Sequence, residues 1–307
     1  MKIYDCFTFF NELDLLEIRL EELYEYVDYF VLVEARQTHA GVPKRLYFEE
    51  NKKRYQKYSN KIIHIVVDLP KFSLIDRLLI KKQLKRPSPF LSSIALSYGI
   101  GRMKMDWAQR SSIKLGLKNA NDEDIVIISD LDEIPNPKVF NKAIDLAKKG
   151  KLVGFKQKIY RYFLNGQAES ESIGSRMCSY KTLKKKCSGD PQKLRIPSFF
   201  TRLKSRIKGK KGYHNNIWLA ELEIVENGGW HFAFVGSPEF IKTKIENYSH
   251  VENFSIDEAT DIEKIKKDIE KGVLLNKKVK YVKIDESFPE SVQKNQTKYA
   301  HLIKKVD

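Results

Sequence analysis

The stretch that most constrains this chain is IVIISDLDEIP, residues 125–135. Five residues of strand character run without a break into Asp-Leu-Asp-Glu and then Pro135. An apolar run with no polar alternation is what a strand covered on both faces requires, and such strands belong to parallel sheets packed between helices. Two further runs have the same character, YFVLVE at residues 29–34 and KIIHIVV at residues 61–67. Residues 2–10 read as an earlier strand rich in Ile, Tyr, Phe and Thr.

Helical patterns fill the spaces between these runs. Leu13, Leu16, Leu20, Leu23 and Val27 recur at three- and four-residue spacing, with Asn11 placed as an N-cap and Glu12 and Asp14 in the first turn. Residues 103–117 and 138–149 read as two more helices. Alternating strand and helix predicts an α/β fold with a mainly parallel central sheet. Beyond residue 151 the pattern loosens into aromatic strands (GFKQKIYRYFLN, GGWHFAFV), a mostly helical span at 237–271, and a lysine-rich tail with one strand candidate, YVKI. Residues 1–255 are expected to form the main domain, with 256–307 as a helical, basic extension packed on it.

Lys plus Arg total 56 against 40 Asp plus Glu, a formal net charge of +16. That balance predicts an anionic partner: phosphates, acidic glycans, a membrane surface or nucleic acid. Residues 181–211 hold twelve Lys and Arg against one acidic residue, Asp190, and their Gly, Ser and Pro content predicts an exposed basic loop. Such a loop is either a solvated excursion or a surface for anionic membrane headgroups. The three cysteines, Cys6, Cys178 and Cys187, offer neither a disulfide framework nor a zinc spacing, so a reducing compartment is the simplest expectation. No signal-peptide pattern and no bilayer-length apolar run is seen, which predicts a cytoplasmic or peripherally membrane-bound protein.

In open α/β sheets, ligands bind at the carboxyl ends of the strands. Two aspartates two apart at such an end can converge on one hard divalent ion, Mn²⁺ or Mg²⁺, that keeps positions open for substrate phosphates. Asp130 and Asp132 are therefore the metal candidates, Asp132 as direct ligand and Asp130 on metal or donor ribose. A capping role before Pro135 is the plainer alternative for the pair.

Several segments together resemble glycosyltransferase family 17. They are DCFTFFNELDLLEIRLEELYEYVDYFVLVEA, GVPKRLYF, WAQR, ISDLDEIPNP and GGWHFAFVGSPEFIKTKIENYSHVE, covering roughly residues 3–255 and weak over 70–100 and 165–225. This is the family of the β-1,4-mannosyl-glycoprotein N-acetylglucosaminyltransferases. The resemblance implies a GT-A-like nucleotide-sugar-binding fold, a UDP-GlcNAc donor, a divalent metal and inversion at the anomeric carbon. Eukaryotic members carry a Golgi anchor that this chain does not show, which leaves the acceptor (glycan, glycoprotein or glycolipid) and the sugar open.

With that fold in view, Asn11 and Glu12 fall at the end of the first strand, where the nucleotide would lie, although a helix cap explains Asn11 equally well. Glu34 and Arg36 end the second strand, and Lys44 follows in a Gly-Val-Pro-Lys turn within reach of a diphosphate. Arg110 matches the family's Gln-Arg and carries the planar guanidinium suited to phosphate. His231 or His250 is expected as a further metal ligand, and Glu239 as the general base that takes the acceptor proton. Trp218, Tyr213 and Trp230 are candidates for stacking on acceptor sugars or for the core. Two rival readings use the same features: a nucleotidyltransferase acting on sugar phosphates, and a non-catalytic nucleic-acid binder driven by the basic segment. The second leaves the DLDEIP strand end without a role.

Overall fold

The computed structural model describes residues 1–85, 99–195, 222–247, 249, 256–274 and 277–306. Its strands are β1 (Ile3–Phe9), β2 (Tyr29–Ala35), β3 (Ile62–Val67), β4 (Ile125–Asp130), β5 (Glu133–Pro135), β6 (Leu152–Tyr162), β7 (Gly166–Ser179), β8 (Leu222–Val235), β9 (Val273–Leu274) and β10 (Lys277–Tyr281). They join one sheet in the order β3-β2-β1-β4-β7-β6-β8-β5, with β10 on β7 and β9 on β10. β1 lies parallel to both β2 and β4, and β2 parallel to β3. This is the expected parallel half. Past β4 the sheet turns mixed: β7 is antiparallel to β4 and β6, β8 is parallel to β6, and β5 is antiparallel to β8.

The unbroken apolar runs have the predicted cause. On one face, Phe30, Leu32 and Ile127 pack with Leu16, Leu20 and Leu23 of the helix Leu13–Leu23. On the other, Val31, Val33, Val126 and Ile128 pack with Ile113, Leu117, Leu183, Cys187 and Leu194. Successive residues of each strand thus enter opposite cores. The second core is tight enough to dictate a glycine: a Cβ on Gly116 would lie 2.3 Å from Val31 Cγ1.

Three local expectations change. Asn11 is not the cap of the first helix; Glu12 holds that position, with no side-chain cap bond. The start of the basic segment is not a loop. Residues Tyr180–Cys187 and Pro191–Arg195 are helices, because Leu183, Cys187 and Leu194 give them an apolar side that is fully buried. Residues 196–211 lie outside the described residues. The tail is also more than a helical extension. β10 extends the sheet, and Phe288, Val292, Tyr299 and Leu302 enter the first core. Trp230 is buried, with its indole N–H donating to Ser287 O at 2.8 Å, so it is a core residue. Trp218 and Tyr213 are outside the described residues.

One buried cation holds the sheet's carboxyl edge at the end of β4. Arg19, wholly buried in the first helix, pairs with Asp5 of β1 through Nε at 2.7 Å and Nη2 at 2.6 Å. Nη2 also donates to Ser129 Oγ, and Nη1 donates to the carbonyls of Asp130 and Leu131, both at 3.1 Å, and of Glu133 at 2.9 Å. All five guanidinium protons are therefore used. Breaking a buried pair by removing one partner leaves an uncompensated charge, at about 3–5 kcal/mol. Arg19→Met is expected to lose about that much stability in urea unfolding at neutral pH; a loss under about 1 kcal/mol would show that this network does not anchor the turn.

Candidate active site

A cleft of about 270 Å³ opens where β1, β2 and β4 end, at the carboxyl edge of the parallel half. This is where an open α/β sheet holds its ligands. β4 delivers Asp130 to the cleft, and Leu131 and Asp132 turn the chain into β5. β5 then pairs with β8, with Glu133 opposite His231. The Asp132 carbonyl accepts the Phe232 N–H at 2.8 Å. A strand ladder therefore brings His231 to the same turn, with Nε2 at 3.8 Å from Asp132 Oδ1.

The floor is a carboxylate–guanidinium network. Asp130 Oδ1 accepts from Arg110 Nη2 at 2.8 Å, and Oδ2 from Arg195 Nη2 at 3.3 Å. Arg110 is also paired with Asp106 at 2.8 Å and donates to Gln192 Oε1 at 2.5 Å. Arg195 bridges to Glu133 at 2.7 Å and donates to the Gly174 carbonyl. Glu133 Oε2 in turn accepts the Asp130 N–H at 3.1 Å. Burial works to raise the Asp130 carboxyl, but Arg110 and Arg195 outweigh it and hold it far below the ordinary range. Arg176 lies buried beside them and donates to the carbonyls of Ile173 and Gly174; burial, then the charge of Arg195, pushes its guanidinium down to about 9. It remains a cation at neutral pH.

A second cluster sits across the cleft. Lys244, from the helix Pro238–Asn247, places Nζ 2.7 Å from Asp132 Oδ2 and 3.0 Å from Glu12 Oε1. Burial would lower this ammonium, but Asp132 and then Glu12 hold it above its ordinary range. Glu12 shows the mirror effect: burial would raise it, and Lys244 holds it below the usual carboxylate range. Glu12 Oε2 also accepts the Asn11 N–H at 3.1 Å, whereas the Asn11 side-chain oxygen has no partner among the described residues.

On the β2 side, Gln109 donates to the carbonyls of Phe9 at 3.2 Å and Val33 at 3.0 Å, tying two strand ends together. Its oxygen meets His39 Nε2 at 2.8 Å, which brings that imidazole to the cleft wall. Lys44 reaches the cleft with Nζ 3.3 Å from Glu34 Oε1, and burial lowers its ammonium against the pull of Glu34.

Of the sequence-selected residues, Glu12, Lys44, Arg110, Asp130, Asp132 and His231 line this cleft. Four others, Asn11, Glu34, Arg36 and Glu239, are not among its lining residues. Glu34 is fully buried and spends its oxygens on Lys44, the Phe48 N–H and His64, which orders the turn behind the site. Arg36 points outward toward Asp68, at 3.7 Å. Glu239 is exposed in the first turn of its helix, and its carboxyl is lowered by its own backbone N–H and by Ser237. His250 lies outside the described residues. The sequence reading missed Lys244, Arg195, Gln109 and His39. Gln109 stood beside the selected Arg110, but nothing distinguished Lys244 from the other lysines of FIKTKIEN.

The donor set can be set against the expected Mn²⁺ or Mg²⁺. Both oxygens of Asp130 face guanidiniums, and one oxygen of Asp132 and one of Glu12 face Lys244. Among the described residues, no three His, Cys, Asp or Glu side chains gather as a ligand cluster. As arranged, protein cations take both oxygens of Asp130 and one oxygen each of Asp132 and Glu12, so these residues do not fit a divalent ion without Lys244 moving aside.

Residues 1–188 match the sequence model of glycosyltransferase family 17. The chain belongs to this family. The β-1,4-mannosyl-glycoprotein 4-β-N-acetylglucosaminyltransferase of Rattus norvegicus is 22% identical over 249 residues, covering 80% of this chain and 42% of that protein. The Homo sapiens enzyme of the same name is 23% identical over 240 residues, covering 76% and 41%. The chain thus spans about two fifths of the length of the curated relatives it matches. Among solved structures, S. aureus TarS 1–349 aligns with TM-score 0.37 and 13% identity over 85% of this chain and 70% of that one. An active-site mutant of LgtC aligns with TM-score 0.33 and 12% identity, covering 74% and 72%.

The Asp130 network predicts an acid-range effect. A carboxyl held low in the folded state contributes stability that is complete above its unfolded pKa of about 3.9 and is lost as pH falls toward the folded value. Asp130→Asn lacks that contribution at every pH. Urea midpoints at pH 7 and pH 3 are expected to differ more for the wild type than for Asp130→Asn; equal differences would mean that Arg110 and Arg195 do not stabilise the ionised form.

Proposed function

We propose that this protein transfers a sugar from a nucleotide-sugar donor to a hydroxyl of a glycan, glycoprotein or glycolipid acceptor. UDP-N-acetylglucosamine is the first donor to test, and the transfer inverts the anomeric carbon in a GT-A-like arrangement. The observation that carries this reading is the cleft itself: Lys44, Arg110, Arg195 and Lys244 line it together with the Asp130–Asp132 turn, at the carboxyl edge of the parallel strands. Family membership supports it. Guanidiniums with fixed forks and a compact ammonium are the groups that take up charge as a diphosphate departs, and they are in place before the reaction begins. Phe10 supplies an apolar surface for a base.

The acceptor hydroxyl must lose its proton during the displacement. Glu239, expected for this from the sequence, stands outside the cleft, whereas His231 stands within it. His231 Nδ1 is 3.2 Å from Ser172 Oγ, and Nε2 faces Asp132. With the Nδ1 proton given to Ser172, Nε2 is left to take the acceptor proton, and Asp132 stabilises the imidazolium. We assign His231 as the general base on that geometry. A Mn²⁺ or Mg²⁺ requirement is the other form of the reading, and it needs Asp132 and Glu12 to be released from Lys244.

The decisive experiment is a nucleotide-sugar panel with candidate acceptors, scored for nucleoside diphosphate release and for glycosylated product. UDP-N-acetylglucosamine is expected to give both. Pyrophosphate released from a nucleoside triphosphate and a sugar phosphate would instead establish the nucleotidyltransferase. Within the active assay, His231→Gln is expected to lower kcat roughly a hundredfold or more with little change in donor KM, and Glu239→Gln to leave kcat nearly unchanged. The reverse pattern would return the base to Glu239.

The helix Tyr180–Cys187 presents Lys184, Lys185 and Lys186 in its last turn, with Lys184 paired to Asp122 on the surface. We propose this face as a contact for anionic membrane headgroups. Replacing the three lysines with Ser is expected to weaken binding to phosphatidylserine vesicles several-fold and to leave the melting temperature nearly unchanged. Unaltered vesicle binding would remove this surface from consideration.

A further inference from the structure

Lys244 is unlike the other cations of the cleft. Arg110 and Arg195 lie in the floor and reach their carboxylates as forks, each joined to two acidic side chains and further carbonyl or amide groups. Lys244 comes from the separate helix Pro238–Asn247 and reaches across to the Asp132 turn, 112 residues away in sequence. Its ammonium meets two carboxylates from two elements: Asp132 at the β4–β5 turn and Glu12 just after β1. Asp132 is the residue that the sequence pattern marks as a metal ligand.

A divalent ion held by Asp132 and Glu12 would need both carboxylates at about 2.0–2.2 Å in Mg²⁺-like geometry. Nζ stands 2.7 Å and 3.0 Å from those same two side chains. Two cations cannot share that space. An ammonium is a compact point charge with three rotatable donors, so it can donate to both carboxylates and still turn a proton toward a third anion. Among the described residues, Asp132 and Glu12 pair with no guanidinium, so Lys244 is their shared Lys/Arg partner.

We propose that the Lys244 ammonium is the resident cation of the Asp132–Glu12 pair, taking the place that a divalent ion would take, and that its remaining proton is donated to the donor's diphosphate there. The second clause rests on the nucleotide-sugar reading above; the first does not. Lys244 is then a binding residue of the cleft and not a surface lysine of its helix.

The test compares the wild type with Lys244→Met, which keeps length and removes charge. Mn²⁺ binding is read by electron paramagnetic resonance titration. The wild type is expected to bind Mn²⁺ at least tenfold more weakly than Lys244→Met, and Asp132→Asn in the Lys244→Met background is expected to lose the new site. Equal affinity in wild type and Lys244→Met, or no Mn²⁺ site in Lys244→Met, overturns the proposal. Near-UV circular dichroism verifies folding, and Lys244→Gln replaces Lys244→Met if the latter does not fold. A second measurement needs no variant. UDP is expected to raise the wild-type melting temperature in EDTA, since a ligand of the folded state stabilises it, and adding Mn²⁺ should change that shift little. In Lys244→Met the UDP shift should vanish in EDTA and return with Mn²⁺. A wild-type shift that appears only with Mn²⁺ also overturns the proposal. No UDP shift in any protein or condition sinks the nucleotide-sugar reading, while the Mn²⁺ titrations still decide whether Lys244 holds the cation position.

Discussion

The pairing of Arg19 with Asp5 is the interaction on which the site depends. Both groups are fully buried between the first helix and β1, where an unpaired charge is strongly destabilising. Once paired, Arg19 still has protons to place, and they go to Ser129 and to the carbonyls of Asp130, Leu131 and Glu133. The backbone of the Asp-Leu-Asp-Glu turn is thus held from beneath. Its side chains are released to face the cleft, where they meet a second set of cations. Secondary structure alone would not fix this turn, because it lies between the end of β4 and a strand of three residues.

Above that anchor, the cleft has two electrostatic tiers that differ in how many bonds hold each cation. The floor is built of guanidiniums with several bonds each, and moving one would expose others. The wall toward the helix Pro238–Asn247 rests on one flexible lysine between two carboxylates. The floor suits a fixed recognition surface, and the wall suits a cation that shifts as charge develops on a leaving group. Gln109 serves both tiers indirectly. By bonding to Phe9 and Val33 it holds the ends of β1 and β2 together, and so sets the spacing of the elements that carry Glu12 and Lys44.

What could be read from the sequence followed from local periodicity. The runs at 29–34 and 125–129 became β2 and β4 because a strand buried on both faces needs nothing but apolar residues, and the run at 61–67 became β3, a half-buried strand at the sheet's edge. The position of Asp130 and Asp132 at a strand end followed directly. Side-chain partners did not, because they come from distant segments. Arg19 stands between the apolar positions of the first helix and was not selected from the sequence, yet it is buried because Asp5 lies opposite. Arg195 belonged to a segment whose charge suggested solvent, although Leu183 and Leu194 tie that segment to the core and bring the guanidinium to Asp130. Glu239 had a plausible place after a strand, but its helix turns it outward and presents Lys244 instead.

The way the tail closes the first core also bears on how the chain reaches its native state. Lys298 meets Glu17 at 2.5 Å across 281 residues of sequence, His301 meets Asp14 at 3.0 Å, and the Ser291 N–H donates to Glu22 at 2.9 Å. Phe288, Val292, Tyr299 and Leu302 fill the same core as Leu16 and Leu20. The helix that carries Arg19 is therefore covered by residues that leave the ribosome long after it does. Contacts so distant in sequence form slowly, because a large loop must close before they stabilise anything. During synthesis, β1, β2 and their helix must wait with an apolar flank uncovered, and a nascent chain stalled before residue 288 is a natural client for a chaperone.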